Sequence, residues 1–176
     1  DDGGEDRHLK AITALIDHQK PVVDKLRVSG APVFVNITLL VRYQSDVTGR
    51  PTGEILGRWR SYRGELDPYA ERLVRGVESE RSALDERLGE ASVGWPVHRM
   101  SAIERTILRL ALYEMLHIED VPAEVSVGEA FELARGFSGD EAPQFVGGVL
   151  RGAKEAWLSE GTEREPERRD RRVEHG

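Results

Sequence analysis

Apolar residues recur every three to four positions over most of the chain. The stretches between them are short and rich in Gly, Pro, Ser and Asp, a pattern that predicts a mostly helical protein. The firmest element follows Ser101. Ser101 and Glu104 have the spacing in which a hydroxyl caps one free helix amide and a carboxylate reaches back to another. Ile103, Ile107, Leu110 and Ala111 then form one apolar stripe, and Leu108, Leu112 and Met115 a second. A helix apolar on two stripes runs through the middle of a bundle, which leaves Glu104, Arg105, Arg109 and Glu114 for its polar side.

A second helix is expected after Pro122, with Ser126 and Glu129 repeating the start signal and Val127, Ala130, Phe131 and Ala134 on one face. A third follows Ser138-Gly139-Asp140, with Pro143 in its first turn. Phe145, Val149, Leu150, Ala153 and Trp157 mark its buried side. Gly147 and Gly148 inside it cost roughly 1 kcal/mol each relative to alanine. Close helix packing or close approach of a ligand to the backbone would account for them.

Upstream, Asp67-Pro68 is a good helix start, with Tyr69, Leu73 and Val77 on the apolar face. Leu84 and Leu88 belong to a further short helix, and residues 48–53 (Thr-Gly-Arg-Pro-Thr-Gly) read as a turn. Residues 1–41 are heterogeneous. Leu9 to Ile16 is weakly helical, whereas Val33, Val35, Ile37 and Leu39 alternate with Phe34, Asn36 and Thr38 as in a strand. Residues 159–176 are almost purely charged, which predicts a disordered tail. The expected organisation is an atypical, irregular N-terminal segment (1–41), an all-α domain (42–158) and that tail (159–176).

At 176 residues the chain fits one domain with some tail. No run approaches the roughly 18 apolar residues of a membrane span, and Asp1-Asp2-Gly3-Gly4-Glu5-Asp6 does not resemble a signal peptide. There is no cysteine, hence no disulfide scaffold and no thiol nucleophile or zinc ligand. These features fit a cytoplasmic protein. The net charge of −7 argues against a broadly basic nucleic-acid binder, while leaving room for a local basic face.

The five histidines (His8, His18, His98, His117, His175) form no zinc-helix pair, and no nucleophile elbow, P-loop or dinucleotide glycine pattern occurs. No catalytic residue, metal site or cofactor is expected. RNA binding requires cations and flat side chains on which unpaired bases stack. Arg99, Arg105, Arg109 and Arg151 offer the first and Phe145 the second, although each taken alone reads more simply as a solvated arginine or a core aromatic.

The ordered series of segments carries more than any one of them. Residues 103–114 (Ile-Glu-Arg-Thr-Ile-Leu-Arg-Leu-Ala-Leu-Tyr-Glu), the turn Asp120-Val121-Pro122, the stretch Val125 to Phe137 and residues 145–150 (Phe-Val-Gly-Gly-Val-Leu) resemble the NusB family. Tyr43-Gln44, Thr48-Gly49-Arg50 and Glu65 to Tyr69 also fit, so that the likeness covers roughly residues 42–155. The resemblance implies two packed helical subdomains and a transcription antitermination factor. It implies a factor that binds boxA-type RNA of nascent ribosomal RNA together with the ribosomal protein NusE, within the RNA polymerase antitermination complex. By the same resemblance Glu141, Gln144 and Phe145 approach RNA, with Arg151 grouped beside them. Tyr43 and Glu104, with Arg105, face NusE.

The departures are specific. Families of this kind open with an arginine-rich segment, whereas residues 1–41 hold five basic residues (Arg7, Lys10, Lys20, Lys25, Arg27) against six acidic ones. The first helix would have to include the β-branched run, with Arg42 where leucine is usual, and Gly128 and Gly147 replace asparagines. A protein-only interaction module, or a homodimer with weakened RNA binding, is the alternative these departures leave open. A third reading is the NusB-like targeting domain of RNA cytosine methyltransferases. It requires a catalytic domain after residue 155, where this sequence has only the charged tail.

Overall fold

The computed structural model describes residues 34–164, with side-chain surroundings for 38–61 and 64–160. The described chain forms helices α1 (Phe34–Thr48), α2 (Thr52–Arg63), α3 (Pro68–Ser79), α4 (Arg81–Ala91), α5 (Ala102–His117), α6 (Ala123–Phe137) and α7 (Ala142–Arg164), with a 3-10 turn over Val97–Arg99. The architecture is all-α.

The capping box forms as the spacing predicts. Ser101 Oγ accepts from the Glu104 amide at 3.3 Å, and the Ser101 amide donates to Glu104 Oε2 at 3.1 Å. From Thr106 to Met115 every residue of α5 is buried, and α1, α3, α4, α6 and α7 all pack against it. Asp67 caps α3 by accepting from the Tyr69 amide at 2.8 Å, with Pro68 just inside. The interior divides in two. The larger cluster gathers around α5, whereas Leu40, Val41, Ile55, Leu56, Trp59 and Val74 form a smaller one between α1, α2 and α3. These are the two helical subdomains, and α1 and α3 contribute to both.

At the α3–α5 crossing a Cβ on Gly76 would come within 2.0 Å of the Tyr113 ring, so any other residue there would force that ring to shift. By contrast, a Cβ on Gly147 would make ordinary contacts and one on Gly148 would meet nothing within 4 Å. Close helix packing therefore does not account for the glycine pair.

Four expectations are corrected. The β-branched run is helical, not a strand: Thr38 to Arg42 are five consecutive buried residues, because α1 lies between the two clusters and needs apolar contacts on more than one side. Strand propensity gives way to tertiary packing here. The described part of the N-terminal segment thus belongs to the helical body. At the other end α7 continues to Arg164, past the expected boundary at 158. The Leu9–Ile16 helix and residues 165–176 lie outside the described residues.

Ser126 and Glu129 do not start α6. The helix begins at Ala123, after Pro122, and Ser126 is buried inside it, donating to Glu114. Finally, Arg109 and Glu114 are not on a solvated face, being 3% and 4% exposed. Arg42, at the position where leucine was expected, is 2% exposed and donates from Nη1 to Thr52 Oγ1 (2.6 Å) and to Glu78. The Thr52 hydroxyl and the Arg42 charge hold the Glu78 carboxyl below its usual range, against the upward push of burial.

Candidate partner-binding face

The Glu104 carboxylate does two things. Oε2 closes the capping box, and Oε1 accepts from Ser138 Oγ at 3.3 Å. The second bond draws the linker between α6 and α7 against the first turn of α5. From that linker α7 starts with Ala142 and Pro143 buried, Glu141 and Gln144 exposed, and Phe145 partly buried against the larger core. Three of the four residues expected to approach RNA therefore share one helix start.

Arg151 lies two turns further along α7, about 10 Å beyond Gln144 on nearly the same face, but roughly 240° around the helix from Phe145. Its Nη2 is 3.5 Å from where a Gly147 Cβ would stand, above a groove with Phe131 between α6 and α7. Of the residues expected to face a protein partner, Tyr43 is partly buried on α1 and Glu104 is engaged as described. Arg105 is engaged within the fold, reaching α1 and the turn before α5. Its Nε and Nη2 donate to Asp46 Oδ2 of α1, and its Nη1 to the Met100 carbonyl at 3.1 Å.

Asp46 is the centre of a charge cluster. Its side chain is 2% exposed and pairs with Arg81 (2.8 Å), Arg105 and Arg109 (3.3 Å). Arg109 also grips Asp85 of α4 with Nε (2.6 Å) and Nη2 (2.8 Å), the fork-on-carboxylate geometry that makes arginine pairs strong. Burial alone would raise the Asp46 pKa, but the Arg105 hydrogen bond and the charges of Arg105, Arg109 and Arg81 hold it below the usual range. Asp85 and the three arginines of the cluster line an open groove of about 810 Å³, together with Trp95 and His98.

A second cluster sits near the other end of α5. Glu114 accepts from the Tyr69 hydroxyl and from Ser126 Oγ, and Glu129 of α6 lies beside it. Burial and the neighbouring Glu114 charge push Glu129 up to about 7, and its buried Oε1 has no hydrogen-bond partner. Burial and the bond to Glu114 likewise raise Tyr69. Among the described residues, no group of three or more His, Asp or Glu side chains is placed to hold a metal ion. Of the histidines, His98 is exposed at the groove and His117 pairs with Glu80 at 2.7 Å; the other three lie outside the described residues.

Asp46, Arg81, Asp85 and Trp95 do not stand out in the sequence. Arg109 meets its aspartates 63 and 24 positions away, so no local spacing reveals them. Trp95 carried the one available signal, a large aromatic between Gly94 and Pro96 in a turn, where a side chain has little to pack on. No helix among the described residues is long and apolar enough to cross a membrane.

Comparison with known proteins is consistent across sequence and structure. The model of the NusB family matches residues 37–155, starting five positions before the likeness read from the sequence. The transcription antitermination protein NusB of Rubrobacter xylanophilus is 65% identical over 126 residues, covering 72% of this chain and 91% of that protein. The solved NusB of T. maritima superimposes with a TM-score of 0.60 at 30% identity, covering 67% of this chain and 86% of that one. A structure described as antitermination factors NusB and NusE in complex with dsRNA shares the fold, with a TM-score of 0.60 at 22% identity over 68% of this chain and 91% of that one.

Proposed function

The chain belongs to the NusB family, and on that premise we propose that it acts in transcription antitermination, binding boxA-type RNA jointly with ribosomal protein NusE. The observation that carries this reading is the start of α7: a partly buried Phe145 beside exposed Glu141 and Gln144, held against the capped end of α5 by the Glu104–Ser138 bond. A ring fixed on one side by the core and open on the other is a platform on which an unpaired base stacks with little loss of freedom. Tyr43 and Glu104 supply the protein-facing contacts, and Arg105 supports them from behind by anchoring α1 to α5.

The proposal includes no catalytic step and no cofactor. The partner is engaged in the cytoplasm, where nascent RNA is made. Titration of labelled boxA-type RNA, alone and with NusE, tests it. The chain should bind RNA more tightly with NusE present, and binding should weaken as salt rises if phosphates are contacted. Phe145→Ala should weaken RNA binding by about 1–3 kcal/mol if a base stacks there. Failure to bind RNA in either condition would overturn the reading. NusE binding without any RNA contribution would favour the protein-only module, which the balance of five basic to six acidic residues over 1–41 motivates.

A further inference from the structure

The groove above the Asp46 cluster holds more donor capacity than the fold uses. Three guanidinium groups, of Arg81, Arg105 and Arg109, surround two carboxylates, of Asp46 and Asp85. Arg109 is buried and spends three N–H groups on the two aspartates. Arg105 spends its own on Asp46 and the Met100 carbonyl. Arg81 differs: its side chain is 48% exposed, and of the five N–H donors of a guanidinium it commits one, to Asp46. Among these five groups one positive charge is in excess, on the residue that reaches solvent; Glu78, which Arg42 pairs, also lies within reach of the Arg81 charge.

The same groove is lined by Trp95, 49% exposed although it is among the largest apolar side chains of the chain. The indole is not loosely hung. Ser92, itself 4% exposed, donates from Oγ to the Trp95 carbonyl at 2.8 Å, and the Trp95 amide donates to the Ser92 carbonyl at 2.8 Å. A doubly hydrogen-bonded turn thus fixes the backbone that presents the ring. His98 adds a second flat side chain along the same wall. A half-exposed guanidinium that commits one N–H and an exposed indole on a fixed backbone turn, both lining one open groove of about 810 Å³, form the pairing that recognises a nucleotide of a single strand, with phosphate on the cation and base on the ring.

We infer that this groove is a second contact for single-stranded RNA, separate from the start of α7, with Arg81 taking a phosphate and Trp95 stacking a base. The inference rests on the RNA-binding reading above. A protein carboxylate would also satisfy Arg81, but it would leave the indole uncovered, whereas one nucleotide uses both.

The test uses the full chain and fluorescein-labelled single-stranded boxA-type RNA, read by anisotropy at several salt concentrations, with thermal melts alongside. Trp95→Ala should weaken binding at least fivefold without lowering the melting temperature, and Trp95→Phe should recover most of that loss. Arg81→Gln should lower the log–log salt slope by about 0.7, one phosphate on a single strand. If Trp95→Ala disturbs the turn and lowers the melting temperature, the Arg81→Gln slope decides.

Wild-type slope and affinity in Arg81→Gln and Trp95→Ala, with Phe145→Ala still weakened, would overturn the second contact and leave the functional reading intact. A wild-type chain that binds no RNA, with or without NusE, would overturn both. Loss of NusE binding in the two groove variants, with RNA affinity unchanged, would assign the groove to the protein partner and overturn the inference.

Discussion

Helix α5 buries charge at two places, and it does so by opposite means. Around Arg109 a buried cation meets a buried anion, Asp46, and Asp85 and Arg105 complete the pairing with directed hydrogen bonds. Around Glu114 the buried group is an anion next to a second carboxylate, with hydroxyls for partners and no cation bonded to either. The first arrangement keeps all its charges and ties together α1, α4 and α5. The second favours a protonated Glu129, since burial and then the neighbouring Glu114 carboxylate both disfavour its ionisation. A buried charge is thus tolerated either by finding its opposite or by shedding itself, and the two choices respond differently to mutation and to pH.

The largest effect should come from breaking the paired site. Arg109→Met leaves Asp85 without its partner and Asp46 short of one, and should destabilise the fold by about 3–5 kcal/mol in denaturant unfolding. A loss below 1 kcal/mol would mean that the cluster is dispensable for folding. Between the two clusters, Gly76→Ala drives a methyl into the Tyr113 ring, which is itself buried, with its centroid 4.6 Å from that of the tilted His117 ring. The expected cost is about 1–3 kcal/mol, from overpacking.

The smallest effect separates the clusters most cleanly. The folded pKa of Glu129, about 7, lies above the ordinary carboxylate value of 4.5, so its contribution to stability is fully present below about pH 4.5 and is lost as pH rises through 7. Partial exposure lets water screen the site, which limits the effect to on the order of 1 kcal/mol. Glu129→Gln should remove that decline between about pH 4.5 and 7 while leaving stability below pH 4.5 almost unchanged. An equal slope in the variant would place the titration elsewhere. The Asp46 cluster should show the reverse sign, losing stability only in acid, as pH falls through its lowered pKa.

The same contrast explains what the sequence could tell. The start and course of α5 were legible because the Ser101–Glu104 box and the apolar periodicity are local signals, complete within one turn or two. The placing of Arg109 and Glu114 on a polar side failed because periodicity sees a charge and not its partner, which arrives from α1, α4, α3 or α6. Ser126 imitated a cap for a related reason: a serine three residues before a glutamate also arises where both reach sideways into a neighbouring helix. The α1 run read as a strand because its burial on successive positions depends on two cores that only the folded chain assembles. Of the candidate site, the start of α7 was proposed through family likeness, whereas the groove at Trp95 depends on residues far apart in the chain.

The carboxylate of Glu104 accepts one bond at each oxygen from within the molecule, and each oxygen retains a further lone pair. A visiting N–H can therefore join without evicting the amide of Ser101 or the hydroxyl of Ser138. Its rotamer is already settled before anything arrives, so docking there freezes no extra torsion. An acceptor that looks fully occupied is in effect pre-aimed, and an isosteric glutamine, which exchanges one of those oxygens for a donor, would spoil its aim while leaving its shape.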